Sequence, residues 1–299
     1  MSWDKITEQQ NPASSYIDEQ TTHEILRIIN DEDADVAQAV HKKLQDIEVF
    51  IDALILRFKD GGRLFYVGSG TSGRLGVLDA AECPPTYRTN PGMIQGIIAG
   101  GFDALVQSIE DAEDYPEDGA KAIIEHNLTT DDSILGITAS SSTPFVLGAL
   151  DQAKKLGALT GLLICNHSPK FKYVDHLISI IVGPEVITGS TRMKAGTATK
   201  MVLNMITTTT MIKLNKTYGN LMVDLKASNQ KLWDRGARIV SHLTDLDYED
   251  SLDLLKSANG EVKTAIVMKI LCVNAECARK KLGSHSGSLR QAIDGVSSE

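Results

Sequence analysis

The sequence predicts an α/β fold built on a central parallel sheet, and three observations predict it. Short, continuously apolar segments recur at 63–67, 94–99, 133–138, 159–165 and 176–182. Segments of helical composition lie between them, near 103–112, 117–127 and 143–156. From Ala227 on, no further strand signal appears. Strands that are apolar throughout, rather than alternating, are buried on both faces, as crossover helices on a parallel sheet require.

Each element follows from local pattern. Residues 1–17 are polar and include Asn11-Pro12, which predicts an extended arm. Thr21-Thr22 caps a helix bearing Ile25, Leu26 and Ile29, and a second helix runs from about 33 to 59. In that second helix Val36, Val40, Leu44, Ile47, Ile51 and Leu54 recur at helical spacing, a stripe that faces a core. The strand at 63–67 opens after Gly61-Gly62 and ends in Gly68-Ser-Gly-Thr-Ser-Gly73, read as a glycine-rich turn. A helix over 75–81 follows, stopped by Pro84-Pro85. Segment 183–200 is dense in small, hydroxyl and cationic residues and leads into a helix carrying Met201, Val202, Met205 and Ile206. Its Arg192, Lys194 and Lys200 suit an anion or a dimer contact, and a polar helix start with solvated cations accounts for them equally well. Leu232, Ile239 and Leu243 mark one later helix, and 248–282 a small helical unit broken at Asn259-Gly260, with an apolar helix over 262–272. The expected division is an N-terminal arm and helices (1–60), a sheet domain (61–226) and a C-terminal helical region (227–299).

The turn after the first strand carries chemistry. A strand, a Gly/Ser/Thr turn and a helix N-terminus present free N–H groups to an anion, so Ser69, Gly70, Thr71 and Ser72 are candidate phosphate ligands. The same residues spell G-x-G-x-x-G, but a dinucleotide site also needs an acidic residue roughly 20 residues on, at the end of the next strand. Asp103 comes too late for that and Glu82 too early. The strand at 133–138 leads into Ala139-Ser-Ser-Ser-Thr-Pro144, where Pro144 fits a first helical turn. Its consecutive hydroxyls at Ser140, Ser141, Ser142 and Thr143 exceed what capping needs. Ligands of such sheets bind beyond the C-terminal strand ends, which gathers 68–73, 138–143 and the segment after Ala99 at one site.

Composition narrows the function classes. The 299 residues are 42% hydrophobic and 23% charged, ordinary for a globular chain with an ample core. A net charge of −9 argues against a nucleic-acid surface. The seven histidines and four cysteines (Cys83, Cys165, Cys272, Cys277) show no metal-ligand spacing, so neither a metal nor another cofactor is expected. No apolar run is long enough to span a membrane and no signal-peptide pattern opens the chain, so a cytoplasmic protein is expected.

Two carboxylates stand out. Glu82 lies in Ala80-Ala-Glu-Cys-Pro-Pro-Thr86, a weakly polar setting that favours a neutral acid. Glu113 lies in Glu110-Asp-Ala-Glu-Asp114, where spacing by itself makes it one of several solvated acids. Over nearly its whole length the chain resembles bacterial N-acetylmuramic acid 6-phosphate etherases. These have the sugar-isomerase (SIS) fold and are related to the glucokinase regulatory protein. The resemblance rests on the two motifs just quoted and on Thr7-Glu-Gln-Gln-Asn-Pro12, Val67-Gly-Ser-Gly-Thr-Ser-Gly-Arg74, Thr138-Ala-Ser-Ser-Ser-Thr-Pro144 and the 183–200 segment. It implies a three-layer SIS-type sandwich, a phosphosugar substrate, a homodimer, and no cofactor. It also implies Glu82 as proton donor and Glu113 as base. Both a phosphosugar isomerase and a non-catalytic phosphosugar sensor are compatible with the hydroxyl loops. The isomerase has no need of a donor to a leaving group, and the sensor leaves both carboxylates without a task.

Overall fold

The computed structural model describes residues 5–294. The arm is not simply extended. It forms single 3₁₀ turns at Ile6–Glu8, Pro12–Ser14 and Ile17–Glu19, and it buries Thr7, Asn11 and Ser14. Their polar atoms are partnered, as burial demands. Asn166 Nδ2 donates to Thr7 Oγ1 (2.8 Å), Asn11 Nδ2 to Glu32 (2.7 Å), and Ser14 Oγ to the carbonyl of Val186 (2.7 Å).

Helix α1 (Thr22–Ala34) opens with a reciprocal cap. The Thr21 hydroxyl accepts the Glu24 N–H, while the Glu24 carboxylate accepts the Thr21 N–H (2.9 Å). The long helix expected over 33–59 is divided into α2 (Val36–His41) and α3 (Leu44–Lys59). At the joint a tighter bond, Lys43 N–H to the Val40 carbonyl (2.9 Å), replaces the helical one. The apolar stripe survives the break: Val36, Val40, Ile47, Ile51 and Leu54 are all buried, while Leu44 is 42% exposed.

Strands β1 (Leu64–Gly68), β2 (Ile94–Ile98), β3 (Ser133–Ile137), β4 (Leu159–Ile164) and β5 (His176–Ser179) form one parallel sheet in the order β2-β1-β3-β4-β5. Helices α4 (Gly70–Tyr87), α5 (Pro116–Glu125), α6 (Pro144–Lys155) and α7 (Lys194–Lys213) accompany it. Three layers result. On one face Val146 and Leu150 of α6 lie against Gly136, in a core with Phe65, Ile134 and Leu162. On the other, α4 meets Tyr66 and Ile137 at Gly76, and Phe50 of α3 lies over Gly161.

Two expectations fail locally. No helix covers 103–112; a short 3₁₀ turn at Phe102–Leu105 and an irregular loop take its place. Val106 is 82% exposed and Ile109 39%, and of the segment's apolar residues Ala104 is buried, too little of an apolar face to hold a helix on the core. The glycine-rich stretch is also not a turn: α4 begins at Gly70 and continues through Pro84-Pro85 to Tyr87. Those prolines remove two N–H donors only near the helix end. The Arg88 N–H still bonds the Pro84 carbonyl (2.9 Å), and Arg88 then adopts a left-handed φ of 52° that ends the helix.

Asp132 fastens β1 to β3 at their N-terminal ends. Its side chain is 2% exposed and accepts from Arg63 N (2.8 Å), Arg63 Nε (3.0 Å) and Thr129 N (2.8 Å), with Arg63 Nη2 at 2.7 Å. Burial opposes its ionisation, but the Arg63 side chain and the backbone donors of Thr129 and Arg63 prevail and hold the carboxyl below its usual range. A depressed native pKa means stability that is present above the unfolded carboxyl's range and lost as pH falls through the folded value. Asp132→Ala is expected to cost about 3 kcal/mol by removing the carboxylate partner of Arg63, and to flatten the acid limb of stability against pH. Urea unfolding across acid pH reads both, and an unchanged acid limb would remove the linkage.

Contacts divide the chain into two compact units, one of residues up to Ala81 with Pro91–Thr207, the other of Glu82–Asn90 with the residues from Thr208. The second unit packs α8 (Gln230–Thr244), α9 (Tyr248–Ser257), α10 (Val262–Leu271), α11 (Ala275–Ser284) and α12 (Leu289–Asp294) around Val240, Leu255, Ile266 and Ala278. Within it Lys263 is buried, donating to the carbonyls of Asn215 (2.7 Å) and Gly287 (2.9 Å) beside Asp224 (3.3 Å).

Candidate active site

The site forms where β1 and β3, neighbours at the centre of the sheet, both end. Gly68 pairs with Ile137 in register, so the chains that leave these strands start side by side. At the first exit the backbone doubles back closely: a Cβ on Gly68 would lie 2.7 Å from the Gly73 nitrogen. Glycine at Gly68 and Gly73 therefore serves strand–helix packing. Gly70 differs, with φ +48° and nothing within 4 Å of its absent side chain. Thr71 and Ser72 fall in the first turn of α4, where N–H groups lack intrahelical partners. A methyl added at Gly196 would lie 3.5 Å from Thr71 Cγ2, so the start of α7 adjoins the first turn of α4.

A cavity of about 420 Å³ opens on the β2 side of the β1 exit, lined by Ser69, Gly70, Arg74, Ala99 and the 108–114 loop and by no residue of 138–143. Ser69 Oγ donates to the Glu113 carboxylate, which is itself exposed. The loop bearing Glu113 is held from behind. The Phe145 N–H bonds the Glu113 carbonyl (3.0 Å), the Asp114 N–H bonds the Asp111 carbonyl (3.2 Å), and Asp111 is left-handed (φ 59°). Arg74 ties the preceding segment to α4 by donating to the carbonyls of Leu105 (3.2 Å) and Gln107 (2.9 Å).

The hydroxyl loop after β3 is linked internally. Thr138 Oγ1 lies 2.7 Å from Thr143 Oγ1 and 3.4 Å from Ser140 Oγ, which lies 3.2 Å from Ser142 Oγ. Thr143 and Ser141 are buried, and Ser141, at φ 64°, donates to the His167 carbonyl (3.4 Å). Ser142 is exposed and accepts from Lys5 Nζ.

Of the residues predicted from sequence, the structure brings Ser69, Gly70 and Glu113 into one cavity. Glu82 belongs to the second unit and is exposed, so the enclosure expected from Ala80, Ala81 and the prolines is not formed around it. Lys194 is not free for an anion, being 3% exposed and paired with Glu32. Glu185 caps α7, accepting the N–H groups of Lys194 (2.9 Å) and Ala195 (2.9 Å). Cys165 is no nucleophile: burial first, and then the Glu185 charge, push its thiol up to about 12. Sequence reasoning missed Asn166 and Lys5; the only signal for Asn166 was its place just beyond the C-terminal end of a parallel strand. Among the described residues no His, Cys, Asp and Glu side chains cluster to hold a metal ion, and no helix is long and apolar enough to cross a membrane.

Comparison with known proteins decides the family. Residues 46–154 match the model of the glucokinase regulatory protein N-terminal SIS domain. A protein of Clostridium acetobutylicum named N-acetylmuramic acid 6-phosphate etherase is 50% identical over 292 residues, 97% of this chain and 96% of its own. One of the same name from Geobacillus sp. is 48% identical over 288 residues, 96% of this chain and 98% of its own. The chain belongs to the N-acetylmuramic acid 6-phosphate etherase family. Among solved structures, a phosphoheptose isomerase of Neisseria gonorrhoeae aligns loosely with 62% of this chain and 99% of its own at 15% identity, with a TM-score of 0.46. Membership of the etherase family rests on the near-full-length sequence match, and the fold described above is of the three-layer SIS type.

Proposed function

We infer that the chain cleaves the D-lactyl ether of N-acetylmuramic acid 6-phosphate, giving N-acetylglucosamine 6-phosphate and D-lactate. The observation that carries this is the match to etherases at about half identity along nearly the whole chain. An ether oxygen is a poor leaving group, but in the open-chain sugar the C1 aldehyde acidifies the C2 proton. Glu113, on the cavity wall and oriented by Ser69, removes that proton. Glu82 protonates the lactate oxygen as the C3–O bond breaks, and water then adds at C3 of the unsaturated aldehyde. The hydroxyls and helix N-termini beyond β1 and β3 bind the 6-phosphate: Ser69, Gly70, Thr71 and Ser72 at one exit, Ser140, Ser141, Ser142 and Thr143 at the other. Incubation with the phosphorylated sugar is expected to release D-lactate and N-acetylglucosamine 6-phosphate in equal amounts. Conversion without lactate would make the chain an isomerase, and binding without conversion a sensor.

We also propose a cytoplasmic homodimer. Helix α1 buries none of its residues, and Leu26 and Leu56 are each 62% exposed, apolar surface that a second copy would cover. A monomer mass by sedimentation would remove the dimer.

A further inference from the structure

A sugar phosphate brings close to two negative charges to the hydroxyl loop, and hydroxyls and N–H groups donate to that charge without neutralising it. Two cations near these strand exits are already engaged. Arg74 is spent on two carbonyls of the 105–107 segment, and Lys194 is buried against Glu32. One ammonium reaches the loop itself: Lys5 Nζ donates to Ser142 Oγ. An ammonium has three donors, and among the described residues Lys5 forms no ion pair; the hydroxyl of Ser142 is a neutral partner.

The placement of Lys5 is built in by its neighbours. The very next N–H, that of Ile6, donates to Asn166 Oδ1 (2.8 Å), and Asn166 Nδ2 donates to the fully buried Thr7 (2.8 Å). The same Asn166 amide reaches the Ala139 carbonyl (3.4 Å), at the start of the hydroxyl loop. The Gly189 N–H bonds the Thr7 carbonyl (3.1 Å), pinning the arm from the other side. One asparagine thus ties the backbone beside Lys5 and the backbone of the loop to each other. Along that loop the hydroxyls of Thr138, Ser140 and Ser142 pass from one to the next. Thr143, at the N-cap of α6, does not cap it with its side chain; Pro144 has no N–H and Phe145 gives its own to Glu113, so the loop's hydroxyls rather than the helix start offer most of the donors here.

We propose that Lys5, carried by the N-terminal arm, is a direct ligand of the substrate's phosphate and the source of its charge neutralisation at the hydroxyl loop. The proposal rests on the etherase reading and names a further residue of that site. Such a ligand governs binding and not the chemical step. In Lys5→Met the KM for the phosphorylated sugar should therefore rise about 10- to 100-fold, the loss of one hydrogen bond to a charged group, with kcat near wild type. Inorganic phosphate, used as a competitive inhibitor, should lose affinity by a similar factor, and Lys5→Arg should recover most of both. Lys5 lies outside the buried core, so the variant's melting temperature should match wild type. Wild-type turnover with an unchanged KM and phosphate affinity in Lys5→Met would overturn the proposal alone. A raised KM with unchanged phosphate affinity would overturn it too, because the arm would then act on another part of the sugar. A wild-type chain that releases no lactate from the phosphorylated sugar would overturn the etherase reading itself, whatever the Lys5 variants do.

Discussion

Glu113→Gln will abolish lactate release and, with it, the exchange of the substrate's C2 proton with deuterated water. Glutamine keeps the size of the side chain and can still accept from Ser69, and the loop's other anchor is the backbone bond from Phe145 (3.0 Å). What is lost is the basic oxygen. Removing a general base from a carbon acid costs roughly 10²- to 10⁴-fold in rate. Loss at C2 should be as deep as loss of product, because abstraction precedes every later step. Proton NMR of the sugar in deuterated buffer reads the exchange, and a lactate assay reads the product. Wild-type exchange in this variant would take the base role from Glu113.

Glu82→Gln will part the two readouts. If Glu82 donates only to the departing lactate oxygen, its amide analogue still permits abstraction at C2 while the C3–O bond stays intact. Deuterium should then enter C2 at a rate near wild type while lactate formation falls by roughly 10²- to 10⁴-fold. Because Glu82 is exposed on α4, the substitution should leave the melting temperature unchanged, and lost activity would not reflect unfolding. Exchange absent in Glu82→Gln and retained in Glu113→Gln would reverse the two roles. Absence from both variants would mean that abstraction and departure are one concerted event.

How far the site was legible depends on the distance over which each contact acts. The two hydroxyl-bearing strand exits could be read because strand, loop and helix start are contiguous, and chemistry at the C-terminal ends of parallel strands follows from the fold class. The Ser69–Glu113 contact links residues 44 apart, and that of Ile6 with Asn166 residues 160 apart. No local pattern reports such pairs. The beginning of α4 was misplaced for another reason. Gly68 and Gly73 are glycines because backbone crosses backbone there, and a run of glycines looks like a turn when that crossing is not known.

By itself the sequence determined the five strands, four of them close to their expected ends and the last stopping at Ser179 short of the expected 182, and the helices over 116–125 and 144–155. Burial on both faces of a parallel sheet demands continuous apolar runs, and such a demand is written residue by residue. It also determined, through its motifs, which family to expect. Only the tertiary structure decided that the 103–112 segment is an exposed loop and that Glu113 rests on Ser69. It alone showed the arm bound against the loop after β3. Those outcomes depend on strand order, which puts β1 beside β3 and brings together chain exits far apart in sequence, and periodicity carries no record of which strand lies next to which.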